Sequence, residues 1–152
     1  MNLLYDILDN KPLIISAIAW LVAGVLKVFI ESIITKKIDF RRVVGSGGMP
    51  SSHTATVVAL AISIGAYAGV KSAAFAIALI FMIIVIHDAT GVRLETGKQA
   101  KVLNTMMFES NAFKDMDFEK QLKEYVGHTP SQALAGAIVG ILVAVFMIYI
   151  VY

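Results

Sequence analysis

Two short stretches set a histidine beside small polar residues and a proline: Gly45-Ser-Gly-Gly-Met-Pro-Ser-Ser-His-Thr54 and His128-Thr-Pro-Ser-Gln132. In the first, glycines let the backbone curl closely around a ligand. Pro50 suits the first turn of a helix, where its missing N–H costs nothing. Ser51 and Ser52 can cap that helix, and its first N–H groups favour an anion. His53 beside them can carry a proton. The stretch fits a phosphate seat with an acid or base in it; it fits equally a flexible loop before a capped helix. Lys27, Arg41, Arg42, Asp88 and Arg93 are the other charged residues of interest. Two histidines can divide the labour of phosphoryl transfer, one attacking phosphorus and the other protonating the leaving alkoxide. Arginines and backbone N–H groups would hold the equatorial oxygens. A lone histidine at a helix end more often only hydrogen-bonds to backbone or headgroup. The pair, with Arg93 and Ser52, is what points to chemistry, and this chemistry demands no metal and no cofactor.

The elements that carry these residues are apolar. Of 152 residues, 58% are hydrophobic and 16% charged, and the mean hydropathy is +0.78. That excludes an ordinary soluble domain and implies an all-α integral membrane bundle, read as a single domain over 1–152. The chain has no cysteine, which excludes disulfides and thiolate metal sites. The basic residues are few and interleaved with acids, so nucleic acid is not an expected partner. Residues 1–11 could form a short amphipathic surface helix; Asp6, Asp9 and Lys11 do not make a cleavable signal peptide.

About four transmembrane helices are expected, near 12–34, 54–70, 72–89 and 129–152, because about 20 apolar residues cross the hydrocarbon. The second and third are short for a full span. Within the first, Lys27 and Glu31 are four apart on one face. They form either a helix-end ion pair or, for Lys27, a cation turned into the bundle. The hydrophilic loop 90–127 is expected to carry short helices at 98–109 and 115–126. Gly136 and Gly140 permit close helix packing or a homodimer. Lys36, Lys37, Arg41, Arg42, Arg93, Lys98, Lys101, Lys114, Lys120 and Lys123 would share one side, against Lys11 and Lys71 on the other. The positive-inside rule then sets the N-terminus outside the plasma membrane and both long loops in the cytoplasm. On this topology Arg41, Arg42, Ser51, Ser52, His53, Asp88, Arg93 and His128 all fall at one membrane face.

Pro50-Ser51-Ser52-His53 resembles the Pro-Ser-Gly-His signature of the type-2 phosphatidic acid phosphatase and vanadium haloperoxidase superfamily. His128-Thr-Pro-Ser-Gln132-Ala-Leu-Ala-Gly136 resembles its third motif, His-x3-Asp before a small-residue helix. Across roughly 12–150 the chain is similar to the divergent branch of that superfamily in bacteria and plants. The resemblance implies that His128 is the nucleophile and His53 the proton donor. There are departures. The first motif, Lys-x6-Arg-Pro, is missing: five residues lie between Lys36 and Arg42, and Lys27 is another candidate for the lysine. Leu122 stands where the third motif has its arginine, leaving that role to Arg93. Gln132 replaces the aspartate that orients the nucleophile. In other triads a neutral residue there costs about 10⁴ in rate; Asp88 is the carboxylate that could take over.

The expected function is a metal-independent phosphatase or phosphotransferase acting on a phosphorylated membrane lipid. His128, His53, Asp88 and Gln132 would do the catalysis. Arg93, Arg42, Arg41, Lys27, Ser51 and Ser52 would bind substrate. The alternatives are a non-catalytic binder or transporter of phosphorylated lipid headgroups, favoured by Gln132, and a structural membrane protein whose basic loops only set topology.

Overall fold

The computed structural model describes residues 2–43, 45, 47–109, 121–124 and 126–151. Among these every regular element is helical. The chain opens with α1 (Leu3–Leu8) and α2 (Lys11–Thr35), then a 3₁₀ turn at Phe40–Val43. It continues through α3 (Ser52–Ala68), α4 (Ala73–Thr90), α5 (Val92–Asn104) with a π turn at Thr105–Glu109, and α6 (Pro130–Phe146) with a π turn at Met147–Val151.

Side chains set the helix starts. Asn10 accepts from Leu13 N–H at 3.1 Å and opens α2. Ser72 does the same for Phe75 at 3.1 Å and opens α4. Before it the chain turns at Gly69, whose φ of +83° favours glycine. Each cap satisfies one N–H that a helix start leaves orphaned.

α3 is the hub, packing on α2, α4 and α6. The core is made of small residues: Ala19, Ala59 and Ala144, with Ile15 and Met147, are buried together. Small side chains let backbones approach, which is how helices gain contact where lipid supplies no hydrophobic drive. Gly136 and Gly140 show the limit of this. A Cβ at Gly136 would run into the Ser51 carbonyl, and one at Gly140 would lie 2.5 Å from that of Ala55. The close packing expected of this glycine pair is therefore with α3 of the same chain. The face that could have joined two copies is filled from within.

Three helical stretches are long and apolar enough to cross a membrane: Lys11–Thr35, Ala73–Phe108 and Pro130–Val151. α3, at 17 residues, is shorter and far more buried. α4 runs into α5 with a break only at Gly91, so the hydrophilic segment begins as a helical continuation rather than a loop. The helix expected over 98–109 starts earlier, at Val92. Of that expected over 115–126, residues 115–120 and 125 lie outside the described residues, and 121–124 and 126 are not helical. That segment is instead held against α5, where Gly97 meets the Glu124 carbonyl and Gly127 meets Leu94 too closely for any side chain.

Candidate functional site

Five helices, α2 to α6, bring residues to one end of the bundle. α3 begins there with Ser51 as its cap. The Ser51 hydroxyl accepts from the Thr54 N–H at 3.3 Å and the Thr54 hydroxyl at 3.0 Å. The Ser51 N–H donates to the Gln132 carbonyl at 3.1 Å, tying the start of α3 to that of α6. Ser51 has no exposed surface. It works as a knot between two helices, not as a side chain presented to a ligand. Ser52, one residue on, is also buried, and its hydroxyl has no hydrogen-bond partner among the described residues.

His53 extends from the first turn of α3, and His128 precedes α6. Their ring centroids stand 6.2 Å apart with the planes tilted by 57°. His53 is exposed, whereas His128 is buried. The His128 N–H donates to the Ala89 carbonyl at 2.9 Å, which fixes it to the end of α4. Its Nδ1 is buried without a partner among the described residues. Burial, first, holds the His128 imidazole below its ordinary 6.5, and the charges of Lys27 and His53 act in the same direction; Gln132 and the Gly48 backbone oppose them.

Lys27 reaches the same place from α2. It is 2% exposed, and its ammonium donates to the Gly45 carbonyl at 3.2 Å. Gly48, at φ +79°, lies on the lysine stem, where a Cβ would press to 3.2 Å. The glycine loop is thus wrapped over Lys27, which answers in geometry which lysine approaches the histidines. Lys36 lines a different groove, with Val28, Phe29 and Ile33. Beside Lys27, an open cleft of about 550 Å³ is lined by Ile30, Ile34, Gly48, Met49 and Gln132.

Arg93, at the start of α5, pairs with Asp88 at 2.5 Å. Both are about half exposed, and both charges act on His53. Asp88 is therefore engaged by Arg93, not standing behind His128. Among the described residues the cations acting on the two imidazoles are Lys27 and Arg93. Arg41 is exposed in the 3₁₀ turn, its N–H bound to Asp39 Oδ1 at 3.0 Å. Only the backbone of Arg42, in the same turn, is described. No three His, Asp or Glu side chains among the described residues gather closely enough to hold a metal ion.

Gln132 has an occupation of its own. The Thr129 N–H donates to Gln132 Oε1 at 3.0 Å, and the Gln132 N–H donates to the Thr129 hydroxyl at 3.4 Å. This reciprocal capping box opens α6. The Thr-x-x-Gln spacing announces it in the sequence, although resemblance alone drew attention to a missing aspartate. Asn104 was not foreseen. Its amide accepts from the Leu122 N–H at 2.8 Å and donates to the Leu122 carbonyl and to Glu124 Oε1, each at 2.9 Å. That clamp fixes the strand of chain that delivers His128.

Apolar helices long enough to cross a bilayer, closed at one end by a cluster of histidines and cations, define a membrane protein with a polar end site. Within that class the chain belongs to the divergent PAP2 family, whose sequence model matches residues 8–143. A relative, the uncharacterized membrane protein YuiD of Bacillus subtilis (strain 168), is 39% identical over 154 residues, covering 95% of this chain and 98% of its own. No solved structure matches the chain.

Proposed function

We propose that the protein is a phosphatase or phosphotransferase acting on a phosphorylated membrane lipid, with His128 as nucleophile and His53 as acid. His128 attacks phosphorus; the P–O bond to the lipid breaks, and His53 gives its proton to the departing oxygen. Water then attacks the phosphohistidine, His53 takes a proton from it, and phosphate leaves. Lys27 and Arg93 hold the phosphoryl oxygens. Supporting this is one observation above the rest: Ser52 Oγ and His128 Nδ1, both buried at this end, have no hydrogen-bond partner among the described residues. Buried polar atoms are almost always paired, and exceptions call for a functional account or a missing ligand. A phosphate would supply an acceptor oxygen to the serine, and a neutral imidazole with an unengaged nitrogen is what attack on its phosphorus requires. The site is taken to face the cytoplasm, with α2, α3, α4 and α6 all crossing the plasma membrane. The test is phosphate release from a panel of lipid phosphates by the purified chain, with rapid quenching to trap a phosphohistidine. Turnover that survives both His128→Ala and His53→Ala would sink the assignment.

A second reading is carried by the carboxylates. Asp88 is paired with Arg93, and Gln132 closes a capping box. Neither gives His128 a negative charge. A binder or transporter of phosphorylated headgroups needs none. Saturable binding of lipid phosphate without any phosphate release selects that reading.

A further inference from the structure

Away from the histidines, α2 ends at Lys36 in the left-handed region, φ 54°, and the chain doubles back along the helix it has just left. Val43 comes to rest on Gly24, its Cγ1 3.0 Å from where a Cβ would be. Two local hydrogen bonds shape the start of the returning strap: Lys37 N–H to the Thr35 hydroxyl, and Arg41 N–H to Asp39. Between strap and helix lies a groove of about 570 Å³, walled by Val28, Phe29 and Ile33 on one side and Ile38 and Phe40 on the other, with Lys36 at its end. Ile38 and Phe40 are 70% and 76% exposed.

The level of the groove follows from helix geometry. Lys11 lies over the Tyr67 ring at the far end of α3. From Lys11 to Lys27 the helix rises ~24 Å, and the eight residues to Thr35 add ~12 Å. A hydrocarbon core is ~30 Å thick. The last turns of α2 therefore climb through the outer part of the hydrocarbon, and Lys36 emerges among headgroups. A hydrocarbon chain lying in the groove would run parallel to α2 and bring its headgroup to Lys36. Lys37 is less available, since it shares a notch with Glu31 and Asp39.

We propose that this groove is a binding site for an anionic glycerophospholipid, one acyl chain between α2 and the strap and the phosphate on Lys36. It is separate from the histidine cluster and does not depend on catalysis. The occupant is a lipid because the walls are apolar over two turns of helix. It is anionic because, among the described residues, the one charged group lining the groove is a lysine, and such lysines near a bilayer surface attract acidic headgroups.

The experiment uses the full chain, purified and delipidated in neutral detergent, with thermal unfolding and native mass spectrometry as readouts. Phosphatidylglycerol should raise the unfolding temperature and remain bound as one molecule. Phosphatidylcholine with the same acyl chains should do so much more weakly, and glycerol phosphate, the headgroup without a tail, not at all. Lys36→Gln should weaken phosphatidylglycerol binding about fivefold, and Ile33→Trp, which fills the groove, should abolish it with the lysine intact. His128→Ala should leave it unchanged. Equal response to the two lipids overturns the proposal. So does binding lost in His128→Ala and kept in Lys36→Gln, which would assign the lipid to the histidine site. Dimerisation on delipidation that is abolished by Ile33→Trp overturns it in favour of a second copy.

Discussion

His128 and His53 are given different tasks by their surroundings. His128 is buried and anchored by its own N–H to Ala89, whereas His53 is exposed, close to Arg93 and Asp88. If His128 attacks, His128→Ala removes turnover altogether while the cations still bind lipid phosphate. His53→Ala should act differently in the phosphorylation step, read as the burst that precedes attack by water, because there its proton matters only to a poor leaving group. Loss of a general acid costs about 10²–10⁴ in rate. That loss should appear with an alkyl phosphate and nearly vanish with an aryl phosphate, whose phenolate departs unaided. Equal losses on both substrates would remove His53 from the acid role. The pH profile gives a second check on His128. Burial penalises the imidazolium, so its folded-state value lies below 6.5. Attack needs the neutral ring. Activity should therefore persist as pH falls past 6.5 and decline only below it. An acid limb of kcat/KM at or above 6.5 would contradict the burial of the nucleophile.

At the scale of elements, the site depends on contacts between segments far apart in sequence. Asn104→Ala breaks the hydrogen bonds that hold Leu122 and Glu124. A buried bond left half made costs about 1–3 kcal/mol. Backbone amides at 121–124 should then exchange hydrogen faster while those of α3 do not change, and kcat should fall with KM little altered. Unchanged exchange would mean that the clamp does not hold the segment. Gly136→Val should drive α6 off the Ser51 carbonyl and lower the unfolding temperature, whatever the oligomeric state. The apolar lengths of the helices were legible because hydropathy needs no partner to be read. So was the histidine pair, since each member marks a helix start beside a proline. The cap at Gln132 was legible too, but its resemblance to a substituted aspartate masked the Thr-x-x-Gln spacing. Asn104 and Leu122 are 18 residues apart and share no local period, so nothing in the sequence joins them. The choice between Lys27 and Lys36 was likewise closed to sequence reading. It turns on a glycine loop wrapping over one face of α2 and a strap returning along another.

At the scale of the whole molecule, the charge asymmetry and the depth of the site make a joint prediction. The histidines lie near the level of Lys27, ~24 Å along α2 from Lys11, so with α2 crossing the bilayer they would be close to one face and remote from the other. By the positive-inside rule, the Lys and Arg residues flanking that end would place it in the cytoplasm. The chain contains no cysteine, so single cysteines report position without a background. Lys71→Cys, in the turn between α3 and α4, should react with a membrane-impermeant maleimide added to intact cells. Lys98→Cys, exposed on α5, should react only after the cells are opened. Reaction of both in intact cells would mean that α3 and α4 do not form a crossing pair, and reversed labelling would turn the site outward. If the pattern holds, a phosphorylated lipid must present its headgroup in the inner leaflet. Supplied only to the outer leaflet of sealed vesicles with the site inward, it should release phosphate no faster than it crosses the bilayer.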